Sequence, residues 1–105
     1  MSFQVSRPHI QETEDFGHGL KTAYDALVRA QQDDEEIAGY YEGGQGIVRV
    51  YGVQMAVDSP VLILTGVDEV GDNVAVVGHY QSMHLIYRKT KLGKDAERKP
   101  IGFSK

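Results

Sequence analysis

Four histidines are the residues in this chain best suited to acid–base or metal chemistry at neutral pH. His9 and His18 fall in or near loops. His79 and His84 lie five apart in a β-type run, so they point to opposite faces of a strand and cannot chelate one metal ion together. His79 falls beside Thr65 in the expected strand register. With Glu42 these two form the catalytic candidates, His79 as general base. Tyr24, Tyr40, Tyr41 and Tyr51 are the ligand-binding candidates, placed to line a cavity between helix and sheet. A lone histidine on an apolar face is more often a hydrogen-bonded core or rim residue. No serine stands in a nucleophile-elbow setting, and the absence of cysteine removes thiolate metal sites, cysteine nucleophiles and disulfides. The reading leans to a non-catalytic protein that needs no metal or cofactor.

Two further stretches resemble chemical motifs and have simpler explanations. Asp33-Asp34-Glu35-Glu36 lacks the spaced ligand pattern of a calcium loop. Asp33 with Glu36 three residues on matches a capping box, which predicts a short acidic helix with Ile37, Tyr40 and Tyr41 on its apolar side and Gly43-Gly44 at its end. Gly43-Gly44-Gln45-Gly46 precedes a β-run instead of following one, and no lysine stands behind it. That order is wrong for a phosphate cradle, so the segment reads as a connector.

The elements that must position these residues are clearest between Ile47 and Lys89. Three runs rich in β-branched and aromatic residues, Ile47–Val57, Val61–Val70 and Val74–Lys89, are separated by Asp58-Ser59-Pro60 and Gly71-Asp72-Asn73. The third is long enough to bend or to split in two. Three-residue loops at both turns align Gly52, Gly66 and Gly78 in a row that would let the sheet curve, and set Arg49 opposite Glu69. Ahead of the sheet, Leu20, Ala23, Tyr24, Leu27, Val28 and Gln31 recur with helical spacing, with Lys21, Asp25 and Arg29 on the other face. This predicts a helix over 18–32, with Asp15 as a cap and Leu27 fully buried. A short strand through Phe3, Val5 and Ile10, broken at Pro8, is a further expectation.

The register assigns the core to Tyr51, Val53, Met55, Val57, Val61, Ile63, Thr65, Val67, Val77, His79 and Met83. It leaves Val48, Val50, Leu62, Leu64, Val76 and Tyr80 on a second face that one helix cannot cover. Such a face predicts a homo-oligomer, a dimer first, with those six residues at the interface.

One chain of 105 residues is one domain by length. The fold class expected is α+β: an amphipathic helix and a short acidic helix on a curved antiparallel meander of three to five strands, over 1–90. Residues 91–105 read as a basic, flexible tail. From Arg88 onward seven Lys or Arg stand against two acids, +5, while the preceding residues carry −9, for a net −4. The tail could bind an acidic or protein partner. It lacks aromatic interleaving, and the acidic body would repel nucleic acid. No apolar run approaches the ~20 residues of a membrane span, and the opening residues lack a signal-peptide pattern, so a soluble cytoplasmic protein is expected. In plan the chain is similar to cone-shaped ligand-binding folds and helix-wrapped hotdog sheets. The function expected is that of a small interaction or assembly protein. The alternative is a small-molecule binder or pocket enzyme using His79 and the tyrosines.

Overall fold

The computed structural model describes residues 7–56 and 58–104. The chain is α+β: α1 (Arg7–Arg29), β1 (Glu35–Gly43), β2 (Gly46–Met55), β3 (Val61–Asp68), β4 (Asn73–His79), a 3-10 turn at Tyr80–Ser82, β5 (Ile86–Lys91) and β6 (Gly102–Ser104). The strands form one sheet in the order β4-β3-β2-β1-β5, antiparallel throughout, with β6 added parallel to β2. The candidates Phe3 and Val5 lie outside the described residues, and Ile10 is helical.

The helix starts eleven residues before the predicted start and ends three before the predicted end. Pro8 sits in its first turn, where a missing N–H costs nothing. Gly17 is tolerated because the helix comes close to the sheet there: an added Cβ would fall 2.5 Å from Met55 Sδ. The inward stripe is Thr13, Gly17, Tyr24 and the half-buried Phe16, Leu20 and Val28. Leu27 is 40 % exposed, so the expectation that it is fully buried was wrong. Asp15 caps nothing and accepts a hydrogen bond from Gln11 within the helix. The predicted i,i+4 pair Lys21–Asp25 forms, at 2.8 Å.

The short acidic helix is not there. Its residues are β1, and Gly43 pairs with Gly46 to close a tight hairpin around Gly44-Gln45. Ile37, Tyr40 and Tyr41 favour a strand, Gly39 weakens any helix, and the glycines at the tip suit the hairpin, where Gly46 has a φ of 120°. The long third run does split. β4 ends at His79, the segment Tyr80–Leu85 passes over the sheet, and β5 pairs with β1 on the far side.

The core lies on the face assigned above to an interface. Leu62 and Leu64 are fully buried, and Val48, Val50, Val53, Ile37 and Tyr80 join them. Two details of register differ from the expectation. Val50 pairs with Gly66 but Gly52 pairs with Thr65, so Tyr51 is an extra residue, a β-bulge. The last turn is longer than three residues, since Val67 already faces Asn73. Gly52, Gly66 and Gly78 therefore form no row, and Arg49 faces Val67 instead of Glu69. The bulge puts Val53 and Met55 on the face of Val48, Val50, Leu62 and Leu64, while the residues of β3 and β4 keep the expected grouping and it is the other face that is covered. Thr65 is therefore exposed, and Tyr51, Ile63, Val67 and Val77 lie on the outer side. The cover that the sequence did not reveal comes from three sources: the longer helix, the crossing segment with Met83 and Leu85, and the tail.

The tail is part of the fold. Ile101 is 6 % exposed, its N–H donates to the Tyr24 hydroxyl (3.1 Å), and β6 then pairs with β2. Arg98 donates to the carbonyls of Gln32, Asp33 and Glu35. The basic segment thus docks on the acidic start of β1 in its own chain, and the expectation of a free tail fails.

Two substitutions check this packing by urea unfolding. Ile101→Ala should cost about 2–5 kcal/mol, whereas Leu27→Ala should cost about 1 kcal/mol or less, because its side chain already meets water. Gly66→Ala should cost about 3 kcal/mol, the upper range for overpacking, since its Cβ would lie 1.9 Å from the Arg49 carbonyl oxygen at the bulge.

Candidate functional site

The sheet is longer than its cover. The protein measures 60 × 30 × 18 Å with a radius of gyration of 15.2 Å, against about 13 Å for a compact chain of this size. Two hairpin ends of the sheet form an arm at the end of β1–β2 and of β3–β4. One joins β1 to β2 through Gly44-Gln45. The other joins β3 to β4, where the Asp68 carboxylate accepts from the N–H groups of Val70 (3.1 Å) and Asp72 (2.9 Å). Gly71 supplies the left-handed conformation that this turn requires, with φ at 92°. Glu69 ties the two tips together by accepting from the N–H of Ile47 at 2.9 Å.

Between the tips lies a groove of about 650 Å³. Tyr41, Val48, Val74 and Val76 line it from the sheet, and Gln45, Glu69 and Val70 from the tips. Val70 is 80 % exposed. The acids here are already committed to backbone N–H groups, and among the described residues no histidine, serine or threonine lines the groove. Its chemistry is that of apolar contact with a polar edge.

The structure separates the catalytic candidates. Thr65 faces Ala75 across β3 and β4, and His79 is four residues further along β4, about 13 Å at a strand's rise. His79 serves as N-cap of the 3-10 turn, its Nδ1 accepting from Gln81 N at 3.1 Å, and its ring stacks on Tyr80. Glu42 sits at the far end of β1, 3.7 Å from Arg88. The tyrosines divide likewise. Tyr24 is in the core, Tyr40 and Tyr51 lie beneath the guanidinium groups of Arg88 and Arg49 on the outer face, and Tyr41 alone reaches the groove. Of the six residues proposed for an interface, Val48, Val50, Leu62, Leu64 and Tyr80 are core, and Val48 also lines the groove together with Val76. Sequence reasoning missed Gln45, Glu69 and Val70. The signal for them was a glycine-rich pair of turn residues between two β-type runs, which marks a hairpin.

The strongest charged cluster holds the tail. Glu36 pairs with Arg49 at 2.6 Å and accepts from the backbone N–H of Lys99. Burial raises the Glu36 pKa, but the Lys99 N–H and the Arg49 guanidinium outweigh it, and the net shift is below the ordinary 4.5. Desolvation lowers the Arg49 pKa, and the Glu36 hydrogen bond leads the effects that raise it overall. Among the described residues no group of three or more His, Asp or Glu could hold a metal ion, and no helix is long and apolar enough to cross a membrane.

Because the folded pKa of Glu36 is depressed, its contribution to stability is full above the ordinary glutamate range and is lost as pH falls through the folded value. Stability measured by urea unfolding should therefore decline below about pH 4.5, and Glu36→Gln should flatten that acid limb while lowering stability at neutral pH. No protein-family model, curated protein or solved structure matches this chain.

Proposed function

We propose that this chain is a small interaction protein that self-associates through its uncovered arm. The observation that carries the reading is the sheet running past its helix, with Ile47 and Val70 exposed on the arm and Val77 exposed on β4. A bare apolar sheet surface is costly in water and is ordinarily covered by a partner. Symmetric self-association is the commonest cover. The basic segment is not the contact in this reading, because Lys89, Lys91 and Arg98 are engaged on Asp34, Glu35 and the carbonyls beside them.

The groove supports a second reading, a small-molecule binder, since about 650 Å³ falls within the range of ligand cavities. His79 does not line it, so the pocket-enzyme version built on that residue loses its base. The polar groups that fix a ligand's orientation are few there.

Light scattering on a size-exclusion column separates the readings. Self-association predicts a mass of at least twice 11.6 kDa at micromolar concentration. A single-chain mass under the same conditions rejects it, and native mass spectrometry of that species then asks whether a small molecule travels with the protein.

A further inference from the structure

The two edges of the sheet are treated differently by the sequence. β5, Ile86–Lys91, carries Arg88, Lys89 and Lys91, charges of the kind that discourage edge-to-edge pairing. β4 is the other end of the strand order. From Asn73 to Gly78 it holds no charge and no proline, and its register with β3 is continuous, without a bulge. Val77 on it is 62 % exposed.

The direction of its backbone groups follows from its ends. The N–H of Tyr80 donates to the Pro60 carbonyl, and the Asp72 carbonyl accepts from Asp68 N–H. Both contacts lie on the β3 side. N–H and C=O groups alternate sides along an antiparallel strand, so Val74, Val76 and Gly78 bond inward while Ala75 and Val77 present theirs to the open edge.

We propose that β4 is the self-association contact, pairing antiparallel with β4 of a second copy about a twofold axis at Val76. This rests on the self-associating reading above and specifies its geometry. The strand is complementary to itself in that register. Val76 meets its own counterpart at the axis. Ala75 stands opposite Val77 of the second copy, and these are the residues whose backbone groups point outward, so each pair exchanges N–H···O=C bonds in both directions. Val74 falls opposite Gly78 on the groove side. A one-residue slip of register, which puts the axis between two residues, would set inward-bonding groups against outward-bonding ones and forfeit those bonds, and an axis at Val76 is the one centred on the strand. The pairing joins two sheets into one and places the two grooves side by side.

The test is amide hydrogen exchange at Ala75 and Val77, together with the mass of two edge variants. In the dimer both amides should be protected, increasingly so at higher protein concentration. Val77→Pro removes an outward N–H and no bond to β3, which an edge strand tolerates. It should give the single-chain mass with unchanged far-UV circular dichroism. Val77→Lys keeps every backbone group and should do the same, which covers the case in which the proline variant does not fold. A wild-type monomer overturns both the proposal and the reading beneath it. A wild-type dimer whose Ala75 and Val77 amides exchange freely, or which persists in Val77→Lys, overturns the β4 contact alone and leaves self-association through another part of the arm.

Discussion

The rest of the structure depends on a fork in the sheet. β1 and β2 run together from the hairpin tip to the pair Gly39–Val50, and there they part. β1 continues beside β5, and β2 continues beside β3. A fork leaves unpaired backbone and an apolar gap, and β6 closes both. Its backbone pairs with β2, and Ile101 fills the space over Gly39, where a Cβ would fall 2.6 Å from Ile101 Cδ1. Tyr24 reaches down from the helix to receive the Ile101 N–H. Helix, fork and tail therefore meet at one point. A free tail would leave Tyr24, Gly39 and Val53 without their neighbours.

The polar contacts around the fork work in the same direction. Glu36 stands where β1 leaves β2, and it holds Arg49 across the sheet and Lys99 on the incoming tail. Arg98 donates to the Glu35 carbonyl at the start of β1 and to the Gln32 carbonyl just before it. Buried or half-buried carboxylates are tolerated when their oxygens are occupied: Glu36 has both occupied, by Arg49 and the Lys99 N–H, and Glu35 accepts from the Gln32 N–H. Part of the charge asymmetry along the sequence is thus an internal complementarity, with Lys89 and Lys91 paired to Glu35 and Asp34.

Much of the architecture was legible in the chain. The helical stripe through Leu20, Tyr24 and Val28 is real, the turn residues between Met55 and Val61 and around Gly71 fall where expected, and the long third run does divide. The misreadings have local causes. Asp33 to Glu36 satisfies a capping pattern, yet those acids serve the tail, and nothing within four residues of them says so. The bulge at Tyr51 put Val53 and Met55 on the face of Val48 and Val50, because strand periodicity carries no memory across an inserted residue, and the choice of covered face was decided by the helix, the crossing segment and the tail. The candidate site was only half visible. Val48 and Val76 could be read from their pattern, but which apolar residues stay uncovered depends on where the helix and the crossing segment Tyr80–Leu85 stop. Ile101-Gly102-Phe103 did offer a sign, two apolar residues at strand spacing, against a background of lysine and arginine that suggested solvent.

The parallel pairing of β6 with β2 also sets an order of events. Gly52 and Gly102 are partners fifty residues apart in the chain, whereas each hairpin closes over a few residues. Loop-closure entropy rises with that separation, and non-local pairings are the slow ones. The hairpins can form on a microsecond scale, and the strand that seals the fork must wait for them, since half of its binding site is made by β2. During that interval Val53 and the open side of β1 face water with their backbone groups unpaired. A folding chain at this stage is most exposed to capture by another chain at the wrong edge, and the time for which the fork stays open governs that risk.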